Sequence, residues 1–376
     1  MSRIYFDYNA TAPPRPAARA AMVEALDAGN ASSVHAEGRA ARATIESARA
    51  AVAGAVGTRP DHVIFVSGAT EAAATVLRPR GDERLLIGAG EHVCVQSGHS
   101  FPIERVDPVR LDAQGRLDLD DLRALVAKAS KRRPILALQA VNNETGVVQP
   151  VHEAAENVHE AGGLLICDAV QAFGRVPCTF AATGADALFL SSHKLGGPKG
   201  AGVLAYAKRD AMPQALIRGG GQERGLRGGT ENVAAIAGFA AALAEAEAQR
   251  ETEMARLKEI RDFLEAGVLE IAPDAAIFGR ETARVANTLA FALPDFAAET
   301  LVAAFDVEGV ALSSGSACSS GKVTPSHVLA AMGVSPGLAR SALRISLGLG
   351  SRKEEGVRFL EILAKVHERM RRRLRA

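Results

Sequence analysis

The sequence is short of every feature that marks a nucleic-acid, membrane or secreted protein. Its 376 residues hold 44 basic and 43 acidic side chains, a net charge of +1, so no bulk field draws it to nucleic acid or anionic lipid. The longest stretch without a charged or strongly polar residue, 233–244, is far below the roughly 20 residues that cross a bilayer. The opening MSRIYFDYNATAPP lacks the apolar core and small-residue cleavage site of a secretory signal, and the expected location is the cytoplasm. Only four cysteines occur, Cys94, Cys167, Cys178 and Cys318. Without close paired spacings they form neither a zinc site nor a disulfide framework, and free thiols are expected. There is no internal repeat and no low-complexity tract.

What is present is an ordinary globular balance, 48% hydrophobic and 23% charged, with enough apolar material for about two domains. Short apolar, β-branched runs at 62–66, 85–87, 135–141, 164–167, 187–190 and 202–206 alternate with Ala-rich helical stretches. That rhythm predicts an α/β fold, a mostly parallel sheet with helices on both faces. A Gly-rich passage at 218–232 closes the block, and a long helix is expected from there to about Gly267. NTLAFALP, a Ser/Gly-rich loop, the strand ALRISLG and a terminal helix then suggest a smaller α+β domain. The expected division is a large domain over 13–252 and a small one over 1–12 and 253–376, since chain ends often close on each other.

In open α/β sheets ligands bind beyond the carboxyl ends of strands. Here those ends read Ser67-Gly68-Ala69-Thr70-Glu71, Glu91-His92, Asn142-Asn143-Glu144-Thr145-Gly146, Asp168-Ala169-Val170-Gln171 and Ser191-Ser192-His193-Lys194. Taken singly, an Asp or Ser there is usually a helix cap and a lone His a satisfied partner. Five such ends on one rim resist that explanation. Competing motifs fail: Gly88-Ala89-Gly90 runs into Glu91, His92 and Val93 with no third glycine, and Ser320-Gly321-Lys322 is followed by Val323 rather than a hydroxyl. His152-Glu153 precedes Glu156, so the H-E-x-x-H metal motif is absent. Pyridoxal phosphate fits instead. It needs a lysine for a Schiff base and a carboxylate on the pyridine nitrogen, roles suited to Lys194 and Asp168. Backbone amides at Gly68-Ala69-Thr70, opening a helix, suit its phosphate, with Ser191 and His193 as further donors.

Read together, YFDYNATAP, SGATE, EH, VNNETGVVQP, DAVQ, SSHKLGGPKGAG, GGGQERGLRGGTEN, SSGSACSSG and LRISLG resemble the cysteine desulfurases of the NifS/IscS type, class V aminotransferases of PLP fold type I. The match spans essentially the whole chain in order. It implies that Lys194 carries the pyridoxal 5'-phosphate, Asp168 meets the pyridine nitrogen, Gln171 meets the ring hydroxyl, and His92 stacks on the ring and moves protons. It further implies that Ala69, Thr70, Asn143, Ser191 and His193 hold the cofactor and that Thr230 reaches the phosphate of a neighbouring subunit in a homodimer. Cys318 becomes the persulfide cysteine, and Arg344, with Asn143, the site for the carboxylate of L-cysteine. The sequence departs from the family in that Ala72-Ala73-Ala74 stands where Ser-Asp-Asn is usual and the stretch before His92 is short.

Two of these roles have independent support. A cysteine used only for packing would not be placed in SSGSACSSGKVTPS, a run too small and flexible to bury much. A guanidinium in the apolar ALRIS needs a partner, either a structural carboxylate or a substrate. Cys167 and Cys178 read as small core hydrophobes, and a site role for Cys94 is disfavoured. The arginines at 369, 371, 372, 373 and 375 read most simply as a basic helix end, with a docking surface for an acidic partner as the alternative. The implied activity turns L-cysteine into L-alanine and passes sulfur to an acceptor protein for iron–sulfur or other thio-cofactor biosynthesis, with no nucleic acid or membrane involved. The alternatives are a selenocysteine lyase or another lyase or aminotransferase of the same fold, and a non-enzymatic scaffold.

Overall fold

The computed structural model describes residues 3–128, 132–315 and 326–375. Thirteen strands occur among them: β1 (Ile4–Tyr5), β2 (Val63–Val66), β3 (Glu83–Gly88), β4 (Val106–Val109), β5 (Arg133–Gln139), β6 (Leu164–Asp168), β7 (Ala187–Ser191), β8 (Gly202–Tyr206), β9 (Ala276–Ile277), β10 (Thr288–Ala292), β11 (Val310–Ala311), β12 (Ser313–Ser314) and β13 (Ala342–Ser346). Seven of them form one sheet in the order β2-β8-β7-β6-β5-β3-β4. Only β8 runs against its neighbours β2 and β7. The other six strands therefore point the same way and end on one rim. Val203 and Leu204 of β8, Leu188 and Phe189 of β7 and Leu165 and Ile166 of β6 are buried on both faces, which is why these strands read as continuous apolar runs.

Each predicted run is a strand, and the α/β class holds. The edge strand β4 was not foreseen because its sequence, Val-Asp-Pro-Val, contains Pro108. A proline is tolerated at an edge, where no further strand needs its missing N–H.

The single long helix expected after the Gly-rich passage is two helices, Val233–Ala248 and Arg250–Ile271. The first buries Ile236, Phe239 and Leu243 in the core of the large sheet. The second turns Leu257, Ile260, Leu264 and Val268 into a separate core with Phe291, Phe305 and Phe359. The break lets one continuous stretch serve two cores. Gly267 does not end the second helix either, because a Cβ there would come within 2.3 Å of Leu360 on the helix Lys353–Arg375. Its function is close helix–helix approach.

The second core is covered by an antiparallel sheet in the order β12-β13-β10-β9. β1 pairs with β11 in parallel, and Asp7 bridges to Ser346 at the end of β13. The first residues of the chain thus lie against its last strand and run on to the rim of the large sheet.

Candidate active site

A cavity of about 680 Å³ opens at the carboxyl rim of the large sheet. Ala69 and Thr70 reach it from the helix after β2, His92 from the turn after β3 and Asn143 from the turn after β5. Asp168 and Gln171 enter from the end of β6, and Ser191, His193 and Lys194 from the end of β7. Arg344 comes across from β13 of the other sheet. Ten of the twelve expected site residues therefore share one wall. Thr230 lines a separate cleft with Arg227 and Gly229, and Cys318 lies outside the described residues. A second void of about 700 Å³, between residues 294–299 and 335–342, has neither lysine nor histidine among the described residues of its wall.

Lys194 follows β7 in a single 3-10 turn, Ser192–Lys194. Its Nζ donates to the carbonyls of Asn9 at 2.6 Å and Ala10 at 2.8 Å. Asp168 is almost wholly buried, and its Oδ1 accepts the Val170 amide at 2.9 Å. Burial raises its pKa to about 6 against the lowering effects of that bond and the Lys194 charge. The carboxyl thus lies buried within the field of Lys194. Behind it Glu91 is fully buried, with one oxygen on the Gln139 amide at 2.8 Å and the other without a hydrogen-bond partner. Burial first, and then the Asp168 charge, push its pKa well above the carboxylate range.

His92 accepts the Cys94 amide on Nδ1 at 3.2 Å, which places the proton of the neutral ring on Nε2. Burial and the charges of Lys194 and His327 lower its pKa to about 4. His193, within 3.2 Å of the Thr11 hydroxyl, is also lowered to about 4 by burial and by Lys194 and Lys199. Both imidazoles are neutral at pH 7. The helix Ala69–Val76 opens on Gly68 without a side-chain cap, leaving its first amides available to an anion. Glycine is required opposite it on β8, since a Cβ on Gly202 would lie 2.7 Å from the Gly68 Cα. Ala72 and Ala73, where the family motif usually differs, are fully buried in the sheet core and do not line the cavity.

Arg344 has a structural partner as well as an open position. One terminal nitrogen donates to Asp7 Oδ1 at 2.8 Å and the other to the Asn143 carbonyl at 2.9 Å, while its buried Nε has no hydrogen-bond partner. The segment Asp7 to Thr11 is thus part of the site, holding Arg344, Lys194 and His193. No role for these individual residues was read from the sequence; YNAT after a two-residue strand was the available signal. Cys94 lines the cavity. Cys167 and Cys178 are buried beneath it, and contact with Cys178 and burial raise the Cys167 thiol well above its usual range.

Lysine, strand-end carboxylate and uncapped helix amides around one cavity fit pyridoxal phosphate, and with the mostly parallel sheet they define a PLP enzyme of fold type I. The chain belongs to the aminotransferase class-V family, whose model matches residues 4–359. It is 38% identical to a cysteine desulfurase of Cereibacter sphaeroides, over 99% of this chain and 97% of that one. It is 36% identical to the cysteine desulfurase IscS of Dictyoglomus turgidum, over 98% and 95% of the two chains. Its fold superposes on a NifS-like protein from Rickettsia africae with a TM-score of 0.89 at 30% identity, covering 97% of this chain and 99% of that one. SspA in complex with cysteine matches with a TM-score of 0.76 at 29% identity, covering 92% and 98%.

Proposed function

We propose that this chain is a PLP-dependent cysteine desulfurase that converts L-cysteine to L-alanine and lodges the sulfur on Cys318 as a persulfide. The observation that carries this reading is the meeting of Lys194, Asp168 and Arg344 in one cavity with a nitrogen of Arg344 still unpaired. When bound, pyridoxal phosphate supplies an electron sink for the substrate Cα. The Asp168 carboxylate would hold the proton of its ring nitrogen, Gln171 its ring oxygen, and the amides of Ala69 and Thr70 with Ser191 and His193 its phosphate. Lys194 Nζ would move the Cα proton, and His92, neutral, would cover the ring and offer its Nε2 proton. Arg344, with Asn143 beside it, would orient the substrate carboxylate through Nε and one terminal nitrogen. Gly315 and Ser326, the described residues that flank the stretch containing Cys318, both approach Glu144, next to Asn143.

The same reading makes the protein a cytoplasmic homodimer that hands sulfur to an acceptor protein in iron–sulfur or other thio-cofactor biosynthesis. It divides the chain into a large domain, 13–252, and a small one, 1–12 with 253–376. Thr230, outside its own chain's cavity, would serve the partner's cofactor. Its loop supports that role by being pinned rather than free: Glu223 is ion-paired with Arg49 at 2.6 Å, and Arg227 with Glu71 at 3.0 Å. The test is L-alanine release from L-cysteine and, separately, from L-selenocysteine. Turnover of L-cysteine that Lys194→Ala abolishes is expected. Turnover of selenocysteine alone would replace this reading with a lyase.

A further inference from the structure

Gln171 is buried in the cavity wall, and both ends of its amide are engaged. Its Nε2 donates to the Asn9 carbonyl at 3.0 Å, the same carbonyl that receives Lys194 Nζ. Its Oε1 accepts from an NH1 of Arg175. Arg175 lies four residues on, outside the main cavity, against a small void of about 60 Å³ that reaches the far side of Lys194. Among the described residues no carboxylate pairs with this guanidinium.

An amide can be turned over, exchanging donor and acceptor, and its neighbours decide which way it faces. Turning Gln171 over would set Oε1 against the Asn9 carbonyl and Nε2 against the Arg175 guanidinium, acceptor on acceptor and donor on donor. Each contact would leave buried groups unpaired. The second N–H of Nε2 is the amide's remaining donor; Oε1 keeps a second lone pair, which an anionic ligand cannot use.

We propose that Arg175 is a positioning residue that fixes the polarity of the Gln171 amide, so that Gln171 presents a donor to the cavity, suited to an anionic ring oxygen. The inference rests on the proposed function, in which that oxygen belongs to pyridoxal phosphate. Arg175 is absent from the cavity wall and acts through Gln171. Burial and the Arg344 charge lower its pKa to about 9, which leaves it charged at neutral pH.

The test measures pyridoxal phosphate affinity and the pH midpoint of the bound cofactor's visible absorbance in the full-length protein, unaltered and as Arg175→Met, Gln171→Ala, the double variant and Gln171→Glu. Losing a hydrogen bond to a charged oxygen should weaken binding about tenfold in each single variant. The double variant should bind no more weakly than Gln171→Ala, because both changes remove the same contact. Gln171→Glu keeps an oxygen toward Arg175 and replaces the N–H by an oxygen. It should bind no better than Gln171→Ala, with the absorbance midpoint moved to higher pH. Additive losses in the double variant, or wild-type affinity and midpoint in Gln171→Glu, would overturn the inference alone. Failure of the unaltered protein to bind pyridoxal phosphate would overturn the proposed function and the inference with it. If Arg175→Met does not fold, Gln171→Glu, which gives Arg175 a carboxylate, decides the matter.

Discussion

Arg49 and Arg344 are buried to the same degree, 1% and 2% exposed, in opposite surroundings. Arg49 is saturated. Two of its nitrogens take both oxygens of Glu223 at 2.6 and 2.8 Å, a third bond goes to the Val63 carbonyl, and its face lies over the Phe65 ring at 5.0 Å. Glu223 in turn accepts the Phe65 amide and holds a left-handed backbone, φ 47°, that a non-glycine residue adopts only when its surroundings impose it. Arg344 has one carboxylate contact, one carbonyl and an idle Nε. A buried charge whose bonds are complete belongs to the architecture. One left with bonding capacity beside a cavity marks a place where a ligand completes it.

The largest effect expected from this contrast is at Lys194. Lys194→Ala should stop alanine formation entirely while the chain keeps its cooperative unfolding transition, because the lysine is held by two carbonyls rather than packed in a core. Loss of folding together with activity, followed by circular dichroism, would place Lys194 with Arg49 instead.

Next comes the saturated pair. Glu223→Ala leaves the buried guanidinium with only the part-exposed Glu46, at 3.2 Å, as a carboxylate partner and should lower unfolding free energy by about 3 kcal/mol in urea titrations. Arg49→Met with Glu223→Leu removes both charges and should recover most of that loss. A Glu223→Ala effect below about 1 kcal/mol would mean that the pair is not the anchor of its loop.

Arg344→Lys should act on binding. A lysine cannot reproduce two parallel hydrogen bonds, so the KM for L-cysteine should rise by the equivalent of about 1.5–3 kcal/mol, with bound cofactor unchanged. An unchanged dependence on cysteine would leave Asp7 as the only partner that matters.

A smaller effect involves Glu144, buried beside Arg344 and bonded by the Ser326 hydroxyl. Burial raises its pKa from 4.5 to about 7, against the opposing effects of Ser326 and Arg344. The folded chain keeps this proton where the unfolded chain releases it. Its stabilising effect is therefore complete below about pH 4.5 and lost as the pH rises through about 7. His92 and His193, lowered to about 4, contribute the opposite slope below their unfolded value. Comparison with the unaltered protein isolates the carboxyl. Glu144→Gln, always neutral, should gain on the order of 1–3 kcal/mol relative to wild type between pH 5 and 8. A constant difference across that range would refute the shift.

Much of the site was legible because strand ends carry their chemistry locally. Asp168 and Gln171 sit three residues apart on one turn, and Ser191, His193 and Lys194 on another. What sequence could not show were partners set by folding over long separations. Asp7 meets Arg344 across 337 positions, and Asn9 meets Lys194 across 185. Arg344 was read with a carboxylate or a substrate as alternatives, and the structure gives it a carboxylate on one nitrogen only. Arg175 was invisible for another reason: nothing in its sequence context separates a cation that orients an amide from one on a solvated turn. The break at Gln249 escaped notice because either side of it is good helix sequence, and only the existence of two cores separates them.

The most direct test of the account is the mass of the Cys318 peptide after the PLP-loaded protein has met L-cysteine. A gain of one sulfur atom in the unaltered chain, accompanied by L-alanine and absent from Lys194→Ala, is the predicted result. Alanine and free sulfide produced with Cys318 unchanged, or at the same rate in Cys318→Ala, would contradict it.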